Sequence, residues 1–294
     1  MLKEPPSRRP ATGRPPRTAL TGASVPGTPR VRRGYFECRY GQLHVHNAIP
    51  SGGGFEEGTP LLCLHPSPLS GRVFERFLAL AGVRRSIFAP DLPGFGDSDP
   101  PAEAGVGEHA AAIGDFLDAM RLRQIDLLGH GFGALVAAEL AAARPGQVRR
   151  LVLVSPPSSA EGNPRIQPGQ PVEAAAPRRP GAAMDGGHLP EEWGRAVAYC
   201  GPGATPESVN FAMAERLRNA ARATAVAAAE RDYPLRARLA QLSVPLLVLR
   251  LGSEVGNSRD MPARARLVEL PGHAASLFEA APDVAAQALE PFLR

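Results

Sequence analysis

Ile125-Asp126-Leu127-Leu128-Gly129-His130-Gly131-Phe132-Gly133-Ala134-Leu135 is the stretch on which the fold turns. A short apolar run of strand length passes straight into Gly-x-Gly-x-Gly and then into an alanine-rich helical segment. In a strand-to-helix elbow of this kind the middle residue is held in a strained turn at the top of a sheet, and it is normally a serine nucleophile. The flanking glycines are needed because helix and strand backbones approach closely there. A dinucleotide fingerprint starting at Gly131 and Gly133 would need a third glycine where Val136 stands. A phosphate loop would need a Gly-Lys-Ser/Thr ending, which is absent.

Working outward, further apolar runs suit buried parallel strands: Leu61 to Leu64, Ser86 to Ala89, Leu151 to Val154 and Leu246 to Leu251. Helical stretches lie between them, at about Gly71 to Ala81, Gly107 to Met120 and Phe132 to Ala143, with a last helix at about Pro282 to Leu293. Alternation of strand and helix predicts an α/β fold with a mostly parallel, doubly wound sheet. Tyr35 to Ile49, turning at Tyr40-Gly41, reads as an N-terminal hairpin. After Val154 the alternation breaks. Residues 155–242 hold a Pro/Gly/Ala/Arg-rich stretch and then several helices, which predicts a helical lid inserted into a core of residues 34–154 and 243–294.

Further motifs stand beside the elbow. They are Leu64-His65-Pro66-Ser67-Pro68, Asp91-Leu92-Pro93-Gly94-Phe95-Gly96-Asp97-Ser98, Pro245 to Glu254, and Leu270-Pro271-Gly272-His273 followed by Phe278-Glu279-Ala280-Ala281-Pro282. In this order and at these separations the chain resembles the α/β-hydrolase superfamily, in particular its lid-bearing branch of proline iminopeptidases, epoxide hydrolases and carbon–carbon hydrolases. The resemblance implies His273 as general base and Glu254 as the acid that orients it. It also implies an oxyanion hole from the backbone N–H groups of Ser67 and Phe132. Pro66 replaces the usual glycine of the oxyanion segment. His65 and His130 are structural first and substrate-facing second, and Trp193 and Tyr199 read as apolar lining of the lid.

Gly131 is the departure. Glycine offers no oxygen, so no covalent intermediate forms there, and loss of a serine nucleophile costs about 10⁶ in turnover. Glycine tolerates the strained turn without a Cβ penalty, so the fold survives and a hydroxymethyl-sized space is expected beside His273. Three readings follow. The first is base-driven, non-covalent chemistry: elimination, cyclisation, lyase cleavage or hydrolysis by an activated water. The second is a serine hydrolase of esters, lactones or carbon–carbon bonds whose serine was replaced by glycine to trap a ligand. The third is a homologue that binds a small molecule without catalysis.

Composition narrows the partners. Apolar residues make up 44% of 294, enough for a sizeable core, and no run has membrane-spanning length. The net charge of +4 is misleading, because residues 1–33 carry eight cations against the single acid Glu4 and the remainder is net negative. That proline-rich tail reads as disordered, and neither nucleic acid nor membrane is expected as a partner. Three scattered cysteines fit a reducing cytoplasm. No metal-ligand cluster emerges and no cofactor is expected. The alanine-rich lid suggests an apolar, natural-product-like small molecule as substrate, handled by a monomer or homodimer.

Overall fold

Each apolar run singled out in the sequence lies in one eight-stranded sheet. The computed structural model describes residues 29–50, 58–157, 183–252 and 261–294, so Glu254 and residues 1–28 of the basic tail lie outside the described residues. The strands in chain order are β1 (Arg32–Cys38), β2 (Gly41–Ala48), β3 (Leu61–Leu64), β4 (Ile87–Pro90), β5 (Ile125–His130), β6 (Val148–Val154), β7 (Leu246–Leu251) and β8 (Arg266–Leu270). Their spatial order is β1-β2-β4-β3-β5-β6-β7-β8. β2 runs antiparallel to both its neighbours, and every other pairing is parallel.

The side-chain period of two divides each strand between the two faces. Leu62, Leu64, Leu127, Leu153 and Val248 face one apolar layer, and Leu61, Cys63, Leu128, Val152 and Leu249 face the other. The first layer is covered by α2 (Val106–Ala119), α3 (Phe132–Ala143) and α7 (Leu235–Gln241). The second is covered by α1 (Glu75–Ala81), α8 (Leu277–Ala280) and α9 (Pro282–Leu293), with the 3-10 turn Gly71–Phe74 leading into α1. Cys63 is fully buried in that layer, which pushes its thiol pKa up.

Three boundaries differ from the sequence reading. Order begins before Gly34, since β1 starts at Arg32 and pairs with Asn47 of β2. β6 starts three residues before Leu151, because Arg149 is no obstacle to a buried strand here. Its guanidinium lies 2.6–2.9 Å from both oxygens of the fully buried Asp126, which Arg85 also reaches at 2.8 Å. β8 was not foreseen. It is an edge strand with Leu267 44% exposed, so it lacks the apolar run that marks a central strand.

Between β6 and β7 stand α4 (Leu189–Cys200), α5 (Pro206–Arg218) and α6 (Ala220–Asp232), followed by α7. α4 and α5 share a small core of Ala196, Cys200, Val209 and Ala212. They are also joined by the buried ion pair of Glu192 and Arg216 at 2.9 Å, so this inserted segment is less apolar than its alanine content suggests. α7 buries Leu235 and Leu239 in the main core, so the last turns of the insertion pack with the sheet. Among the described residues no helix is long and apolar enough to cross a membrane.

Candidate active site

The elbow is built by close backbone approach. A Cβ on Gly129 would lie 2.2 Å from the Gly133 carbonyl oxygen, and one on Gly133 would lie 2.3 Å from that of Leu64. Neither position admits any other residue, because the obstructing atoms are backbone. Gly131 between them has φ 53° and ψ −122°. Its N–H donates to the Val154 carbonyl at 3.0 Å, and its own carbonyl accepts from Ala134 at 2.9 Å. The turn that normally displays a nucleophile is thus fully formed around a residue with no side chain.

The space expected beside Gly131 is taken. A Cβ placed on Gly131 would lie 2.9 Å from Cβ of Pro66 and 3.5 Å from its Cα. The Pro66 ring leans on the elbow where a serine side chain would begin, so the substitutions at 66 and 131 fit each other. Pro66 cannot easily give way. Its carbonyl accepts from the Leu69 N–H at 2.9 Å and lies 3.1 Å from Nδ1 of His65.

Of the two residues whose amides the sequence resemblance implies for an oxyanion hole, Ser67 directly follows Pro66 and Phe132 opens α3. Phe132 N–H belongs to the first turn of a helix, where amides have no intrahelical acceptor. Neither amide is taken by an acceptor among the described residues. The Phe132 ring is buried against His109 (centroids 5.1 Å apart) and Phe95 (6.3 Å).

Both ring nitrogens of His65 are engaged inside the fold. It is fully buried, its Nε2 accepts from the Leu92 N–H at 2.8 Å, and Nδ1–H therefore donates to Pro66. Burial pulls its pKa down to about 4 and keeps the ring neutral. His130 is likewise buried beneath the elbow against Phe278 (6.1 Å), with its pKa lowered to about 4 by burial. Strand alternation turns it away from α3 and into the opposite layer. Trp193 stands 42% exposed on α4 rather than lining an apolar interior. Tyr199 is committed elsewhere: its hydroxyl donates to the Glu279 carboxylate and its carbonyl accepts from the Ser276 N–H at 3.2 Å.

His273 is half-buried in the turn after β8, with its N–H donating to the Leu270 carbonyl at 3.1 Å. A Cβ on Gly252 would lie 3.3 Å from the His273 carbonyl oxygen, so this turn abuts the end of β7 just before the segment that holds Glu254. No hydrogen bond joins the His273 imidazole to another described residue. The structure therefore brings Gly131, Phe132, Pro66 and Ser67 together, and His273 stands in the turn after β8, against the end of β7. Ser276 Oγ donates to the Cys200 carbonyl at 3.0 Å, which ties the end of α4 to the segment after His273. Behind that contact a cavity of about 650 Å³ is lined by Arg72, Arg76, Ser208, Phe211 and Glu279 among others.

Two features escaped the sequence. Ser155, the residue after β6, holds a left-handed φ of 41°, and its N–H donates to the Leu249 carbonyl at 2.9 Å. His130 pairs with Val154, so Ser155 stands beside Gly131. Its hydroxyl is buried and without a partner among the described residues, as is that of Ser67 on the other side of the elbow. Nothing in Val-Ser-Pro-Pro signals a strained serine. The second feature is a cluster of His44, His46 and Asp91, three residues that could hold a metal ion. His44-x-His46 on a strand was its legible signal, since residues two apart share a face.

An elbow, an oxyanion segment and a histidine turn on such a sheet define a class, and the chain belongs to the alpha/beta hydrolase family, whose model matches residues 61–288. Over 116 residues it is 35% identical to 2-hydroxymuconate semialdehyde hydrolase of Pseudomonas sp. (strain CF600), covering 37% of this chain and 38% of that protein. Over 121 residues it is 36% identical to Lipase LipV of Mycobacterium tuberculosis (strain ATCC 25618 / H37Rv), covering 41% and 44%. The matches thus span about two fifths of the length of these curated relatives. Among solved structures it is similar to a serine-to-glycine mutant of the N-acyl homoserine lactonase AidH complexed with N-hexanoyl homoserine lactone, with a TM-score of 0.69 at 20% identity. That match covers 90% of this chain and 97% of AidH. The epoxide hydrolase CorEH matches with a TM-score of 0.63 at 15% identity, over 90% of this chain and all of that one. At such identities these likenesses speak for the fold.

Proposed function

We propose that this chain is an enzyme acting on a small, largely apolar molecule by proton transfer, without a covalent enzyme intermediate. The observation that carries this reading is the Pro66 ring set against Gly131 where a nucleophile's side chain would start. His273, oriented by Glu254, takes a proton from a carbon next to a carbonyl or from a water. The charge that develops on oxygen is met by the N–H groups of Ser67 and Phe132. A positioned base contributes typically 10²–10⁴ and preorganised donors add to it. Elimination, cyclisation, lyase cleavage and water-activated hydrolysis all fall within this chemistry. The hydrolase names of the sequence relatives favour the last.

5-Nitrobenzisoxazole opens in a single step once a base removes its carbon-bound proton, so it tests the base without knowledge of the natural substrate. The protein should accelerate the opening, and His273→Ala should lower the rate by about 10² or more. Equal rates for the two proteins would remove His273 as the base. The alternative of a replaced serine makes a different forecast. Under it Gly131→Ser alone regains labelling by a fluorophosphonate probe. The Pro66 contact instead requires Gly131→Ser together with Pro66→Gly.

A further inference from the structure

We infer that His44, His46 and Asp91 form a binding site for a divalent transition cation of the zinc type, separate from the elbow. His44 and His46 project from the same face of β2, and Asp91 follows β4, the strand hydrogen-bonded to β2. All three are at least 96% buried. His44 Nδ1 lies 2.9 Å from one Asp91 oxygen and His46 Nε2 lies 3.7 Å from the other. The donor atoms of the three all fall within 4.8 Å of one another. Zinc bonds of 2.0–2.2 Å in a tetrahedral shell put neighbouring donors about 3.3 Å apart. The observed spacings straddle that value, so modest side-chain shifts close the shell.

Hydrogen bonding alone does not account for the cluster. His44 and Asp91 satisfy one another, whereas His46 has only the partly exposed Glu75 beside it. Its Nε2 is too far from Asp91 for a hydrogen bond. Its Nδ1 has no well-formed hydrogen bond, although a Glu75 oxygen lies 3.1 Å away. A buried Nδ1 in that state has lost its hydration with only a poorly aligned carboxylate to replace it. With a cation on Nε2, the second nitrogen becomes an N–H facing the Glu75 carboxylate, the arrangement that ordinarily orients a metal-bound histidine. Asp91 is already held in the same manner, by the N–H groups of Gly71 at 2.7 Å and Asp97 at 2.9 Å. Two of the three ligands thus have outer partners in place. Imidazole and carboxylate together suit zinc and its neighbours rather than magnesium or calcium. The cation would tie the β1–β2 hairpin to the Asp91–Ser98 loop, whose Leu92 N–H fixes His65 of the oxyanion segment.

The test uses the full chain, stripped by chelator and titrated with Zn²⁺ by calorimetry and with Co²⁺ by visible absorption. One equivalent should bind, and Co²⁺ should give the intense visible bands of a tetrahedral nitrogen and oxygen site. His46→Gln should abolish both signals, whereas His188→Ala and His273→Ala should leave them intact. Glu75→Gln removes only an outer partner at the surface and should weaken binding about 10–100-fold, which decides the matter if His46→Gln does not fold. Absence of binding to the wild-type chain, or binding unchanged by His46→Gln and Glu75→Gln, overturns the site.

Discussion

A glycine at position 131 reads as a loss only while its neighbour is ignored. Pro66 crowds the place where a side chain at 131 would begin, and Ser67 and Ser155 on either side have buried hydroxyls without partners among the described residues. Left-handed backbone at a residue other than glycine costs about 1–3 kcal/mol and persists where the surroundings enforce it, often at functional sites. Ser155 is such a residue, and two substitutions separate its strain from its hydroxyl. Ser155→Gly should raise stability by about 1 kcal/mol through relief of φ 41°, and Ser155→Ala should not. If the hydroxyl holds a substrate or water oxygen beside the elbow, both variants should slow turnover of 5-nitrobenzisoxazole alike. Thermal melts and rates on the same preparations check this, and full activity in Ser155→Ala would make the residue a structural one. Gly129, Gly131 and Gly133 were legible because backbone contact leaves no alternative to glycine at the outer two. The strain at Ser155 and the lean of Pro66 were not, since both arise from how three strand ends meet.

Elements were legible to the extent that burial shows as an unbroken apolar run. β3, β5 and β7 lie between neighbours on both sides, and their runs located them within two residues. β8 escaped because an edge strand half in solvent carries Arg266 and Glu269 among its apolar residues. β6 was cut short in the reading because arginine normally marks a surface. Here Arg85 and Arg149 neutralise Asp126, the one acid in the otherwise apolar body of β5. Removing both partners of a fully buried carboxylate leaves an uncompensated charge, which costs about 3–5 kcal/mol. Arg85→Ala with Arg149→Ala should therefore lower Tm by on the order of 10 °C. Adding Asp126→Leu to the pair should recover most of that loss, because the charge is then gone as well. A triple variant no more stable than the double would mean that the arginines act through packing and their bonds to the Leu293 carbonyl.

At the scale of the whole molecule, stability is squeezed from two sides of the pH scale by groups that no motif identified as titrating. His65 and His130 have folded pKa values of about 4, below the ordinary 6.5, because burial disfavours their charged forms. The unfolded chain then binds more protons, so stability falls as pH drops from about 6.5 towards 4, by on the order of 3 kcal/mol for each ring. Glu279 is displaced the other way, to about 7 from 4.5, first by burial and further by the neighbouring Glu215, against the lowering effect of the Tyr199 hydroxyl. There the folded state holds the extra proton, and its contribution is complete below about 4.5 and lost as pH rises through 7. Tyr199 ties α4 to Glu279 on α8, beside the bond from Ser276 to the Cys200 carbonyl at the end of α4. Ionisation of Glu279 should thus cost stability through the burial of its charge, while the bond from the Tyr199 hydroxyl favours the charged form. Tm measured across pH should pass through a maximum on the acid side of neutrality. Glu279→Gln keeps an acceptor for Tyr199 but has no proton to lose, so it should flatten the decline between pH 5 and 8 and leave the acid limb unchanged. An alkaline limb identical in Glu279→Gln would place the titrating group elsewhere.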